Sequence, residues 1–421
     1  MLPGRSPMRA LLPHAPRGLP RGRALFLCHS AKPSGAELAL LNLTRHMEPG
    51  SAAVLFAEDG PLLAAFEQAS VPAWVLTGVG RGRLAARRVG PWLALRGVID
   101  LLRYGRRVSR WVQDRDVDVD VVVARSVKSL LYGAFAARHM HVPLVWSVHD
   151  RIAADYLGRF SALAVRCVGR GLASAYIVNS RSTEATIWAG RKPVLVAPPA
   201  LDPVAFPAFS PTRSECSPIR SVVMAGRISP WKGQDVFLEA FGRVFADTEV
   251  EAFVVGGALF GEYEYETQLH RLAADSPCAG RIHFTGHVDN VRNYLDAADV
   301  LVHASVVPEP FGLVVSEGMA AGCAVVATTP GGPAEVISDG IDGLLVPCGD
   351  VNALAAALER LVSDADLVAA LQEAGPVSIS RYDVHVQAAS MQAWLRAISR
   401  HTGVARTTSA WPERRPPSEI H

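Results

Sequence analysis

The chain has 421 residues, 49% of them apolar and 7% aromatic, and its formal net charge is +2. That length exceeds what a single hydrophobic core usually serves, so two domains are expected. The balanced charge excludes a global electrostatic partner, and the lack of any run of roughly 18 apolar residues excludes a spanning helix.

Residues 1–22 are rich in Pro, Arg and Gly, lack the apolar stretch of a signal peptide, and read as a disordered lead-in to a cytoplasmic protein. From Ala24 onward short apolar runs alternate with helical patterns. Strands are expected at 24–28, 53–57, 119–124, 144–148, 175–178 and 194–197, then at 221–224, 251–255, 282–285, 300–303, 324–327 and 344–346. Continuously apolar strands of this kind belong to parallel sheets covered on both faces. The expected fold is α/β, with two doubly wound, Rossmann-like domains facing each other across a cleft. They take residues 23–205 and 212–383, joined at a seam marked by Pro203, Pro207, Pro211 and Pro218. An amphipathic helix at 384–400 is placed to pack back across that seam, and 401–421 reads as a disordered tail. The six cysteines (Cys28, Cys167, Cys216, Cys278, Cys323, Cys348) form no C-x-x-C pair, and most of them lie in apolar stretches and read as small core residues of a reducing compartment.

The densest chemistry lies in Pro308-Glu309-Pro310-Phe311-Gly312-Leu313-Val314-Val315-Ser316-Glu317-Gly318. Two carboxylates on so apolar a segment are costly unless a site uses them. The prolines beside Glu309 forbid a regular helix there, whereas the residues from Gly312 can wind into a short helix that stops near Gly322. Glu309 then sits on a loop and Glu317 within the helix. Between them lies a helix N-terminus whose free N–H groups can hold an anion. Hydroxyls for the carboxylates and phosphate for the helix end together describe a nucleotide sugar. Arg227 and Lys232 project from one strand-to-helix turn of the same domain, where they suit a diphosphate or form a solvated surface pair.

Other features are weaker. Gly256-Gly257 and Gly331-Gly332 are glycine turns after strands, and Glu335 reads as a helix cap. Ser34-Gly35 follows the first strand without the full G-x-G-x-x-G spacing. His149 closes a strand, either as a hydrogen-bonded structural residue or facing the cleft. His139 and His141 have no third partner for a metal, and Asp116, Asp118 and Asp120 run into a strand as a polar lead-in. From Arg81 to Arg115 there are ten arginines against Asp100 and Asp114, interleaved with Trp, Leu, Val and Ile. This stretch is either a basic amphipathic helix on an anionic membrane surface or a domain helix with a solvated face. Nucleic acid is disfavoured, because no binding module accompanies it.

Taken together these residues resemble the retaining glycosyltransferases of family 4, which have the GT-B fold, over roughly residues 23–400. The resemblance rests on Gly226-Arg227 followed by Lys232-Gly233, on Glu309 and Glu317-Gly318, on Phe284-Thr285-Gly286 with Ala298-Asp299-Val300, and on Gly331-Gly332 with Glu335. It implies that Arg227 and Lys232 neutralise a donor diphosphate and that Glu309 holds donor-sugar hydroxyls. It also implies backbone N–H donors at Phe311, Gly312 and Leu313, and ribose binding by Glu317. Gly35 would match the family's N-domain glycine loop, His149 its histidine near the transferred sugar, and Thr285 and Val288 would flank the nucleobase. The implied activity is transfer from a nucleoside-diphosphate sugar to a saccharide or lipid-linked acceptor, without metal or other cofactor, in cell-envelope polysaccharide or glycolipid synthesis. Pro198-Pro199-Ala200-Leu201-Asp202 departs from the family's Pro-Asn-Gly at this point. A glycoside hydrolase would also want two carboxylates, but has no need of the cations. A nucleotide-sugar epimerase or a non-catalytic binder of nucleotide sugars remains the alternative.

Overall fold

The computed structural model describes residues 23–78, 91–114, 119–201, 206, 218–259 and 261–400. The lead-in, the tail, most of the Pro-rich seam, Asp116, Asp118, Arg115 and the arginines from Arg81 to Arg88 lie outside them.

The first unit opens with β1 (Ala24–Cys28), α1 (Gly35–Arg45), β2 (Ala52–Phe56), α2 (Leu62–Gln68) and β3 (Ala73–Val75). It continues with α3 (Pro91–Asp114), β4 (Val121–Ala124), α4 (Val127–Met140), β5 (Leu144–Val148), α5 (Ala154–Leu157) and α6 (Arg159–Leu172). It closes with β6 (Ala175–Val178), α7 (Arg181–Glu184) and β7 (Val194–Val196). The strands form one parallel sheet in the order β3-β2-β1-β4-β5-β6-β7, with Leu25 opposite Ala53 on one side and Val122 on the other. Strands β1, β4 and β5 are buried at every position, which is why their sequences are apolar throughout rather than alternating. Strand β3 was not expected from the sequence; it is three residues long and carries no pattern of its own.

The second unit runs β8 (Ser221–Ala225), α8 (Gln234–Val244), β9 (Glu251–Val255), α9 (Tyr263–Ala274) and β10 (Ile282–Gly286). Then come α10 (Arg292–Ala297), β11 (Val300–His303), α11 (Leu313–Ala320), β12 (Ala324–Thr329), α12 (Pro333–Val336) and β13 (Leu344–Pro347). Helices α13 (Val351–Ser363), α14 (Ala365–Ile379) and α15 (Val384–Arg400) end it. Its sheet is also parallel, in the order β10-β9-β8-β11-β12-β13. On α8, Phe237, Leu238 and Phe241 recur at helical spacing and are buried in the core of this unit. Each such side chain contributes about 1.5–3 kcal/mol of transfer free energy.

The chain crosses between the units twice, and the crossings are neighbours, since Leu201 bridges Asp383. Helix α15 then returns to the first unit. Its Ala388, Met391, Trp394, Leu395 and Ile398 join the same core as Phe26 and Leu40, while Gln392 accepts from the Glu48 N–H at 3.0 Å. Helices α3, α4 and α6 share a core on the opposite face of that sheet, where Tyr104 and Tyr132 meet edge to face at 4.9 Å. In both sheets the strand order reverses beside the first strand, between β1 and β4 and between β8 and β11. Ligands of such folds bind outside the carboxyl ends of the strands at that reversal. Here the two reversal points look at each other, because a Cβ added to Gly35 would sit 3.1 Å from Leu313 Cδ1 of the other unit.

Candidate functional site

The loop after β8 carries Arg227, and a single 3-10 turn, Pro230–Lys232, leads into α8. Gly233 ends that turn at φ 73°, and a side chain there would run into the Ala304 carbonyl. Only glycine permits both the left-handed backbone and that approach. The turn thereby aims Lys232 at the loop after β11, where the Lys232 ammonium lies 3.0 Å from Glu309 Oε1 and 2.9 Å from Oε2.

Glu309 is 7% exposed and has further partners. Ser305 Oγ donates to its Oε2 at 2.8 Å, and His303 Nε2 lies 3.4 Å from the same oxygen. The imidazole is fixed from behind by Thr328 Oγ1, 3.2 Å from Nδ1. Burial by itself would raise the carboxyl pKa; Lys232 and His303 outweigh it and hold Glu309 well below the usual carboxylate range. The loop is also fixed by its backbone. The Gly332 N–H donates to the Glu309 carbonyl at 2.8 Å, and a Cβ on Gly332 would overlap Phe311. The Gly331-Gly332 turn therefore exists to let β12 approach the Glu309 loop closely.

Helix α11 begins at Leu313 with Gly312 as its N-cap, and helix geometry leaves its first N–H groups without intrahelical acceptors. Phe311 is 3% exposed and packs edge to face on Tyr382, so only its backbone is available to a ligand. Glu317 points into a groove of roughly 540 Å³ between the units, lined also by Gly35, Asn42, Asn290, Arg292 and Leu313. Its carboxylate has no hydrogen-bond partner among the described residues, and burial between the units raises its pKa to about 7. Thr285, next to last in β10, donates its hydroxyl to the Gly286 carbonyl, and Val288 packs into the core beneath the groove-lining segment 289–292.

The structure thus brings Lys232 and Glu309 into direct contact and sets Gly35, Leu313 and Glu317 around one groove. His149 is not part of the Glu309 network. It follows β5, its Nε2 lies 3.0 Å from Ser147 Oγ, and its carbonyl accepts from Asn179 at 2.9 Å. Burial, reinforced by Arg125, holds its pKa well below the usual histidine value, so the ring is neutral at pH 7. His303, Ser305 and Thr328 were missed from the sequence. The available signal was a histidine ending an apolar strand, with serine two and glutamate six residues on.

The units also touch directly. Trp231 meets Tyr156 of α5 edge to face at 5.9 Å while the Lys232 ammonium lies 4.2 Å from the indole centre, and Tyr156 donates to Asp150 at 3.3 Å. Glu335 is a helix cap, but not of its own helix. Its carboxylate accepts from the Arg181 and Ser182 N–H groups at 2.9 and 2.7 Å, at the start of α7 in the other unit. Beside it the Ser180 hydroxyl donates to the Pro310 carbonyl at 2.6 Å. The residue next to Glu309 is therefore clasped to the first unit.

Two family models match this chain: Glycosyltransferase Family 4 over residues 33–204 and Glycosyl transferases group 1 over residues 219–364. The chain belongs to this glycosyltransferase family. Arg227, Lys232, Glu309, Glu317 and Glu335 all fall in the second match. Among relatives, the lipopolysaccharide core biosynthesis glycosyltransferase LpsE of Rhizobium meliloti is 37% identical over 154 residues, which is 37% of this chain and 43% of LpsE. The phosphatidyl-myo-inositol mannosyltransferase of Mycolicibacterium smegmatis is 28% identical over 72% of this chain and 78% of its own length. The match to LpsE thus spans less than half of that protein. Among solved structures, Anabaena HepE in complex with UDP superimposes with a TM-score of 0.74 at 26% identity, covering 89% of this chain and 100% of that one. HepE with UDP and glucose gives 0.75 over 90% and 100%. This chain has a two-domain GT-B architecture.

Proposed function

We propose that this chain transfers a sugar from a nucleoside-diphosphate sugar to a hydroxyl acceptor, with retention at the anomeric carbon, in the synthesis of an envelope polysaccharide or glycolipid. The observation that carries this reading is Glu309, ionised and gripped by Lys232, Ser305 and His303 beside the N-terminus of α11. A carboxylate so fixed accepts hydrogen bonds from sugar hydroxyls without reorganising. Lys232, already turned toward the cleft, and Arg227 in the loop before it are the cations for the diphosphate, with the α11 N-terminus as a further anion site. Glu317, with no partner of its own among the described residues, suits the two ribose hydroxyls. The UDP-bound relative supports a uridine donor as the first to try.

In the reaction, the bond from the anomeric carbon to the diphosphate oxygen breaks, a bond to the acceptor oxygen forms, and the acceptor hydroxyl loses its proton. Positive character grows on the sugar and negative charge on the departing diphosphate. Preorganised cations and N–H groups stabilise the latter at no cost of reorganisation. No residue is assigned as a covalent nucleophile: Glu309 is held by three side chains and serves as an acceptor of hydroxyls.

A melting screen against UDP-, GDP- and ADP-sugars tests the donor assignment, since a ligand of the folded state at about 100 times its Kd adds about 2.7 kcal/mol of stability. One donor class is expected to raise the melting temperature, and acceptor-dependent release of nucleoside diphosphate should follow with that donor. Stabilisation by donors with neither transfer nor hydrolysis would replace this reading with a non-catalytic binder.

A further inference from the structure

Helix α6 is apolar on both its inner and its outer side. Inward, Ala162 and Gly169 are buried and Val165 and Val168 pack against the core, and a Cβ on Gly169 would overlap the Trp146 ring. Its outer side is apolar. At helical spacing, Phe160, Leu163, Ala164, Cys167 and Gly171 fall together, and all are exposed, Phe160 at 89% and Leu163 at 48%. A helix on a water-soluble surface normally turns its polar residues outward.

The rim of this stripe is cationic. The helix has no acidic residue, and Arg159 and Arg170 are exposed along one edge with no ion pair recorded among the described residues. Arg166 is different, since it donates to the Ile152 and Thr186 carbonyls at 2.9 and 2.8 Å and holds the helix to its neighbours. Its guanidinium lies 5.7 Å from the ring centre of Trp188, itself 40% exposed, and Arg191 is exposed just beyond. Helix α3 extends the same side of the first unit through α4, with Ile99, Leu102, Arg103, Arg106, Arg107 and Arg110 exposed.

We propose that the outer face of α6 docks on an anionic lipid surface, with Phe160 and Leu163 inserted at the interface and Arg159 and Arg170 on the headgroups. Charge decides against a second copy of the chain as occupant. A two-fold contact would set the unpaired arginines of one α6 against those of the other, whereas anionic lipid meets both the apolar stripe and its cationic rim. The position of the helix gives docking a purpose. One glycine, Gly158 at φ 79°, separates α6 from α5, whose Tyr156 reaches across to Trp231 at the mouth of the cleft. Phe160 in a lipid surface therefore holds the cleft beside that surface, and the acceptor that can reach it is lipid-borne. This last step rests on the proposed transfer reaction; docking does not.

The test is sedimentation of the full chain with vesicles of phosphatidylcholine containing about 30% phosphatidylglycerol, and with phosphatidylcholine alone. The wild-type protein is expected to bind the anionic vesicles only. Phe160→Asp with Leu163→Asp should weaken binding by at least about tenfold, and Arg159→Glu with Arg170→Glu by a similar factor. Both pairs lie on the surface, so melting temperatures should be unchanged. Equal binding by both pairs, or loss only on reversing Arg103, Arg106 and Arg107 of α3, overturns the assignment to α6. So does a wild-type dimer on gel filtration that Phe160→Asp with Leu163→Asp converts to a monomer. If donors fail to stabilise the protein yet sedimentation still depends on α6, the transfer reaction falls and the docking surface stands.

Discussion

Glu309 and Glu317 are eight residues apart and chemically identical, yet the fold has made opposite groups of them. Glu309 lies on a loop pinned by the Gly331-Gly332 turn and carries Lys232, Ser305 and His303, so it is held ionised far below its usual range. Glu317 projects from α11 into the groove with no partner among the described residues, and burial lifts its pKa to about 7. The first is organised by its own protein partners; the second, on the proposed reading, has a ligand to complete it. Truncations on the two sides should therefore fail in different ways.

The largest effect is expected at the organised end. Lys232→Ala removes a preorganised cation and should lower kcat/KM by about a hundredfold or more. It also strips a buried carboxylate of its partner, which typically destabilises by a few kcal/mol; with Lys232 partly open to solvent, about 2 kcal/mol is expected at pH 7. A depressed carboxyl pKa contributes stability that is present above its unfolded value and lost as pH falls. The gap in melting temperature between wild type and Lys232→Ala should thus narrow toward acid pH. Turnover near that of the wild type would remove Lys232 from the site.

Glu317→Gln should spare kcat and raise the donor KM by about tenfold, the worth of one charge-assisted hydrogen bond or so. Its pH behaviour is more diagnostic. A carboxyl whose folded pKa is raised from 4.5 to about 7 favours the fold below about pH 4.5, and that contribution is lost as pH rises through 7. The glutamine variant should match the wild type near pH 5 and be more stable by about 1–2 kcal/mol at pH 8. Donor hydroxyls favour the ionised form, so wild-type donor affinity should rise between pH 6 and 8 while that of the variant stays level. Parallel pH profiles would show that Glu317 does not meet the donor.

The part of the candidate site around Glu309 was legible because its signals are local. Proline on each side of Glu309 forces a loop, and Gly312 and Gly322 bracket a short helix. Arg227 and Lys232 share one strand-to-helix connection, so their proximity follows from chain connectivity alone. The rest depends on contacts between distant segments. His303 ends an apolar strand and looks like core until β12 brings Thr328 behind it. Glu335 had the composition of an ordinary cap, and nothing nearby in sequence says that the helix it caps begins at Arg181. Helix α6 drew no reading from the sequence; its apolar residues recur at helical spacing, but a period does not say which side faces inward, and Gly169 against Trp146 decides that.

The clasp through Glu335 gives the smallest expected effect and the one that tests whether organisation at Glu309 depends on both units. Its two N–H bonds hold α7, and Ser180 at the cap of α7 holds the Pro310 carbonyl, so opening the clasp loosens the residue adjoining Glu309. A cap of this kind is worth about 1 kcal/mol, hence roughly a fivefold fall in kcat/KM for Glu335→Ala if closure is required for transfer. Glu335→Gln, which keeps an acceptor, should lose less. Burial raises the Glu335 pKa against the pull of those N–H groups, so its contribution to the closed form is largest at acid pH and is lost as the pH rises through that raised value, a dependence the alanine variant lacks. Small-angle scattering of the unliganded chain supplies a reading that does not pass through activity: the alanine variant should be measurably wider than the wild type. Scattering and kcat/KM both unchanged would mean that Glu309 is held by its own unit alone, and that the contact with α7 does no more than accompany it.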